Sequence, residues 1–213
     1  MLSRLLWGAR ASLLAGVIPV TIAVAVSIPL GLLSGYAGGW VDGLIMRIND
    51  AMLAIPFLIV AIALAAFLGP SLTNAMIAIG IAALPTFLRL ARGTVLAIKT
   101  EEYVEAAHAV GGSHLRIAFR HILPNTMGPF IVLCTAQLGS AILVEATLSF
   151  LTLGVPEPYP SWGRMLSVSA AEYAQKAPHL VLFPGAAISL VVFGSNLLGD
   201  ALRDTLDPRL RGA

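Results

Sequence analysis

Residues 51–88 read AMLAIPFLIVAIALAAFLGPSLTNAMIAIGIAALPTFL, a stretch without one charged side chain. A single helix of that length would reach roughly 57 Å, nearly twice the ~30 Å of bilayer hydrocarbon. Gly69-Pro70-Ser71 near its middle is turn chemistry. The stretch therefore reads as two membrane spans, near Ala51–Leu68 and Leu72–Leu90, joined by a tight turn. The same reasoning places a span near Ser12–Ser34, in the charge-free run between Arg10 and Asp42, and others over Thr126–Phe150 and Leu180–Gly199. That makes five. They are helical, because in lipid only helices and closed barrels satisfy their backbone, and the period-two alternation of barrel strands is absent. The expected fold is all-α, a polytopic transmembrane helical bundle, with residues 1–213 as one transmembrane domain.

Composition agrees. The chain is 58% hydrophobic and 11% charged, against about 25% charged in soluble domains. A net charge of +2 gives no footprint for nucleic acid. Cys134, the single cysteine, can form no intrachain disulfide and reads as a small core or lipid-facing residue. Arg4 and Arg10 precede an apolar run too long for a cleaved signal.

With five spans the loops alternate sides. One side collects Arg47, Arg89, Arg92, Lys99, Arg116, Arg120, Arg203, Arg209 and Arg211; the other holds Arg4, Arg10, Arg164 and Lys176. The positive-inside rule makes the richer side cytoplasmic. The segment 99–124 and the C-terminus are then cytoplasmic, and 151–178 is external. Within 151–178, Trp162, Met165, Leu166, Ser169, Ala170 and Tyr173 recur at helical spacing. They predict a short interfacial helix with Trp and Tyr at the headgroups.

The segment 99–124 is a polar island between apolar runs. It reads as two short helices around Gly111-Gly112. Glu101, Glu102 and Glu105 suit the positive end of the first helix. Ala106 and Ala107 favour close-packed helix, Gly111 a helix end, and Ser113 a cap for the second helix. Leu115, Ile117, Ala118, Phe119 and Ile122 give the second helix an apolar side. Pro124 starts the next span. From these residues alone, an ordinary amphipathic surface loop and a docking loop are equally good readings.

The pattern Glu105-Ala106-Ala107, Gly111, Leu123-Pro124 resembles the EAA loop of binding-protein-dependent ABC transporter permeases. The resemblance extends through LSRLLWGARA (2–11), GYAGGWVD (35–42), HILPN (121–125), EATLSFLTLG (145–154), PSWGRML (160–166) and NLLGDALRDTLDPRLR (196–211). Together these look like the peptide and nickel (dipeptide/oligopeptide) branch, C-subunit-like. His121 stands where the broad family often has an apolar residue. The resemblance implies a type I ABC importer permease fold, with six helices expected in full-length relatives. The further helix would precede Leu2, and a start codon assigned too far downstream would account for its absence. It also implies a permease for short peptides or related solutes (dipeptide, oligopeptide, nickel or glutathione) in the cytoplasmic (inner) membrane of a bacterium or archaeon. Implied partners are a second permease subunit, two cytoplasmic ABC ATPase subunits, an extracytoplasmic solute-binding protein and lipid. Glu105, Ala106, Ala107, Gly111, Leu123 and Pro124 would carry the coupling to the ATPase.

No Gly-x-x-x-x-Gly-Lys-Ser/Thr phosphate loop and no Gly-x-Ser-x-Gly elbow occur. Hydrolysis, with its ATP and Mg, is therefore expected on the partner, with no cofactor on this chain and no enzymatic role for it. His108, His114 and His121 are six and seven residues apart across a glycine break, so no metal site is expected. Glu145 is the one ionisable residue deep in an apolar run. A charge at mid-bilayer costs about 2.5–3.5 kcal/mol on insertion scales, which leaves a pathway or helix-pairing role, or a wetted position at the span's external end. Gly31 and Gly35 form a small-xxx-small pair suited to close helix packing. Other readings of the chain are an ion-coupled secondary transporter, which needs more ionisable residues near the midplane than Glu145, a membrane-embedded enzyme, which needs paired catalytic side chains, and a structural subunit of another membrane complex.

Overall fold

The structure, a computed structural model, describes residues 1–156, 158–172 and 176–206, with side chains at all of these except 169–172 and 206. Tyr173, Arg209 and Arg211 of the reading above lie outside the described residues, as do the side chains of Ser169 and Ala170. Every regular element among the described residues is helical. In order they are α1 (Leu2–Ala37), α2 (Gly39–Leu53), α3 (Phe57–Leu68), α4 (Leu72–Lys99), α5 (Glu102–Ala109) and α6 (His114–Ile117). A π-helical turn (Ala118–Ile122) leads into α7 (Leu123–Phe150), followed by α8 (Trp162–Glu172) and α9 (His179–Leu206). Among the described residues, four helical stretches are long and apolar enough to cross a membrane, and a fifth crossing exists if α2 and α3 are one broken span.

That break corrects the span expected over 51–68. The chain leaves the helix at Ala54 and turns extended at Pro56 (φ −54°, ψ 132°). Proline brings no N–H and disfavours helical geometry in the residue before it. Pro85, Pro129 and Pro184, by contrast, sit within continuous helices.

The chain divides into two compact units. The first comprises Met1–Ile22, Pro56–Ala83 and Thr135–Leu198. Its core has two parts. Ala65, Ala75, Ala78, Ile79, Ala141 and Leu148 join α3, α4 and α7. Ile142, Trp162 and Ile188 join α7, α8 and α9, with Leu5 and Ala9 of α1 at the edge. Trp162, expected among the headgroups, is buried instead. Its indole Nε1 donates to the Leu5 carbonyl at 2.9 Å and its backbone N to Ser12 Oγ at 3.2 Å. A tryptophan whose polar edge finds a partner inside no longer needs the interface.

The second unit comprises Ala23–Ile55, Leu84–Cys134 and the chain from Gly199. The glycine pair acts here. A Cβ on Gly31 would lie 2.1 Å from Ala91 Cβ, and one on Gly35 2.8 Å from Val95 Cγ1. Both glycines thus face α4, and the two helices approach to a distance that any side chain would prevent. Beside this contact Arg92 grips Asp42 with two hydrogen bonds of 2.6 Å, and Ser34 Oγ donates to the same carboxylate. Three elements, α1, α2 and α4, are thereby tied at one point. Arg89 and Asp50 also pair at 2.8 Å, but both side chains are mostly exposed, where such a pair contributes little.

Candidate functional site

The segment expected to dock a partner is a helical hairpin. α5 is preceded by Glu101 at the N-cap position, whose carbonyl accepts from the backbone N of Val104 and of Glu105. Glu102 and Glu105 lie in its first turn, where the exposed amides favour negative charge. The Tyr103 phenol is raised above its ordinary pKa by burial and by the neighbouring Glu101 carboxylate.

α5 ends in a Schellman motif. Gly111 N donates to His108 O and Gly112 N to Ala107 O, each at 3.0 Å. Gly111 has φ +80°, the left-handed region that a side chain disfavours. The turn thus favours glycine at this position on physical grounds. Ser113 occupies the N-cap position of α6, but its side chain makes no capping bond.

The hairpin is anchored by apolar side chains. Val104, Ile117, Ala118 and Ile122 pack with Leu32 of α1 and Val95 of α4, and Tyr36, Ile98 and Ala107 close the edge. Outward stand Val110, Leu115 and Phe119, 85%, 73% and 59% exposed. The apolar side expected for residues 115–122 is therefore two faces, one buried and one bare. The π-turn divides them. Its hydrogen bonds span five residues, as in Leu123 N to Ala118 O, so Ile117 and Ile122 share a face that an α-helix would have separated. Pro124 adjoins this turn, and Asn125 Nδ2 donates to the His121 carbonyl at 2.6 Å.

The residues expected to carry coupling fall into three places. Glu105, Ala106 and Gly111 are exposed on the hairpin. Ala107 is half-buried and packs inward against the anchor. Leu123 and Pro124 are the first residues of α7, beyond the π-turn. Val110, the most exposed apolar side chain of the hairpin, was not singled out from sequence; its position between Ala109 and the Gly-Gly turn is the signal that could have found it. His108 and His114 come together with ring centroids 5.6 Å apart. No group of three or more His, Cys, Asp or Glu among the described residues is placed to hold a metal ion.

Glu145, in the first unit, is not wetted. It is fully buried. Ser149 Oγ donates to its Oε1 at 2.6 Å and itself accepts from Val155 N at 3.2 Å. Oε2 has no partner within hydrogen-bond geometry. Ser149 thus ties the end of α7 to the chain that leads toward α8, with the Glu145 carboxyl as its acceptor.

In the second unit the hairpin is thus seated by its apolar anchor on α1 and α4, while Val110, Leu115 and Phe119 stay bare. Residues 27–212 match the family described as "Binding-protein-dependent transport system inner membrane component". The chain is 51% identical over 209 residues to the dipeptide transport system permease protein DppC of Alkalihalophilus pseudofirmus, covering 98% of this chain and 68% of that protein. It is 47% identical to the di/tripeptide permease DppC of Pseudomonas aeruginosa, over 100% of this chain and 70% of that one. Identity to the glutathione permease GsiD of Pectobacterium atrosepticum is 43%, over 98% and 69%. Among solved structures, the inward-facing methionine ABC transporter MetNI superposes with a TM-score of 0.80 at 17% identity, covering 97% of this chain and 98% of that one. The chain belongs to the binding-protein-dependent transport system inner membrane component family. It is the transmembrane permease subunit of an ABC importer, a multi-pass membrane protein of a class that works with ATPase and substrate-binding partners.

Proposed function

We propose that this permease imports short peptides or related small solutes (dipeptide, oligopeptide, nickel or glutathione), and that the α5–α6 hairpin is its joint with the ATPase. Residues 1–213 act as one transmembrane domain, with 99–124 as the cytoplasmic coupling loop and 151–178 as the external segment. Two cytoplasmic ATPase subunits bind and hydrolyse ATP with Mg. A second, different permease chain completes the solute path, and an external binding protein delivers the solute. Glu105, Ala106, Ala107, Gly111, Leu123 and Pro124 transmit the closure of the ATPase dimer to the spans as alternating access. Glu145 pairs α7 with the external segment and does not touch solute.

One observation carries the coupling role. The hairpin buries Val104, Ile117 and Ile122 against the ends of α1 and α4, yet leaves Val110, Leu115 and Phe119 bare. A surface loop with no partner gains nothing from an apolar crest. A crest on a firmly seated hairpin lets force on the loop reach the helices. Dipeptide, di/tripeptide and glutathione are what the similar permeases are named for; nickel rests on the sequence resemblance alone.

The test is cross-linking. Val110→Cys, paired with single cysteines on the ATPase in inside-out native vesicles, is expected to cross-link and to be labelled by an impermeant thiol reagent only in that orientation. Labelling from the outer side alone, or no cross-link to the ATPase, refutes the reading. Competition of labelled dipeptide uptake by tripeptides, glutathione and nickel then ranks the solutes.

A further inference from the structure

The anchor beneath the hairpin is apolar and therefore non-directional. Val104, Ile117 and Ile122 hold the hairpin down but do not fix the angle at which its crest points. Directional contacts do, and they converge on one side chain from a distant part of the sequence.

Tyr36 is the penultimate residue of α1. Its hydroxyl lies 2.9 Å from Nδ1 of His114, the first residue of α6; the phenol donates when the imidazole proton is on Nε2. The Tyr36 ring is stacked on His108, near the end of α5, with centroids 6.5 Å apart and planes 11° apart. It meets His114 edge-on at 5.9 Å. Both are favourable aromatic geometries. One ring thus touches both arms of the hairpin, on either side of the Gly111-Gly112 turn.

Tyr36 is itself fixed. Lys99, the last residue of α4, donates from Nζ to the Tyr36 carbonyl at 2.9 Å and stands 5.5 Å from the ring centroid. The carbonyl is one of the last four of α1, which have no partner within the helix. A cation there also suits the negative helix end, and its distance from the ring is within cation–π range. Lys99 thus joins the ends of α1 and α4 at the residue whose ring meets the hairpin.

We infer that Tyr36 is the positioning residue of the coupling hairpin: it sets the angle of the crest relative to α1 and α4, and so how much of each ATPase stroke reaches the spans. This rests on the coupling role proposed above for the hairpin.

The experiment uses the complete importer in proteoliposomes, with a labelled dipeptide as probe. Spin labels at Val110→Cys and Trp40→Cys report the hairpin angle by their distance distribution, and uptake is measured against ATP hydrolysed. Tyr36→Phe removes the hydroxyl and keeps the ring. It is expected to broaden the distribution and to lower solute imported per ATP about three- to tenfold, the effect of one lost hydrogen bond. Tyr36→Leu, which also loses the stacking, should lower it further. Tyr36→Phe added to His114→Ala should cost little more than His114→Ala alone, because the bond is already gone. An unchanged distance distribution in Tyr36→Phe and Tyr36→Leu overturns the inference. So does a broadened distribution with wild-type coupling, or an equal fall of uptake and hydrolysis that tracks loss of assembled protein. Failure of the Val110→Cys cross-link to the ATPase in an otherwise wild-type importer would instead refute the docking role, whatever the spin labels report.

Discussion

Gly111 offers the sharpest test of how the hairpin works. Its φ of +80° and its two flanking 3.0 Å bonds, Gly111 N to His108 O and Gly112 N to Ala107 O, define the turn. Alanine at this position keeps both bonds but must adopt a left-handed conformation, at a cost of about 1–2 kcal/mol. That corresponds to a change of about 5- to 30-fold in the population of the native turn. Asparagine tolerates the same conformation better and should be milder. Proline fixes φ near −65° and cannot adopt the turn at all. It deletes one of the two bonds outright and displaces the donor of the other. At a net ~0.5–1.5 kcal/mol each, that is about 1–3 kcal/mol, with the crest re-aimed as well. The buried anchor at Val104, Ile117 and Ile122 is left in place, so the protein should still reach the membrane in normal amount. The assay is dipeptide uptake and ATP hydrolysis by the reconstituted importer. The expected order of coupled uptake is wild type, Gly111→Asn, Gly111→Ala, then Gly111→Pro with none. Wild-type uptake in Gly111→Pro, or an order in which asparagine is worse than alanine, would refute the reasoning.

Gly31→Val puts a Cβ 2.1 Å from Ala91 Cβ and must separate α1 from α4. Overpacking of this kind costs about 1–3 kcal/mol, so the thermal midpoint in detergent should fall, and an unchanged midpoint would contradict the packing described. Thr152 is a β-branched residue at φ +65°, a strained conformation. Thr152→Gly should raise stability by about 1–2 kcal/mol, seen as a higher thermal midpoint; a lower one would show that the threonine side chain is needed in that turn. Glu145→Gln retains an oxygen acceptor for Ser149 and is expected to give wild-type uptake, whereas Glu145→Leu leaves the Ser149 hydroxyl without its acceptor at a cost of about 1–3 kcal/mol. A large loss of uptake in Glu145→Gln with normal assembly would place that carboxyl on the solute path.

The spans were legible because a bilayer imposes a coarse rule: long runs without charge. That rule counts residues and is indifferent to where a helix breaks. Pro56 could not be told from Pro85 by composition, since both lie in apolar surroundings, yet one ends a helix and the other rides within it. The hairpin's turn was legible at Gly111 because a left-handed residue after a helix is a local demand. The division of Leu115 and Phe119 from Ile117 and Ile122 was not, because it depends on the π-turn at Ala118–Ile122, which shifts the helical phase and leaves no periodic mark. Trp162 misled for a different reason. An indole signals an interface only when its N–H needs water, and here the Leu5 carbonyl supplies the acceptor from across the fold. Tyr36 and His114, 78 residues apart, carry no pattern that a linear reading could join. In each case sequence revealed what a segment requires of its solvent or of its own backbone. What it withheld was the partner met across the fold, and the hairpin's aim depends on such partners.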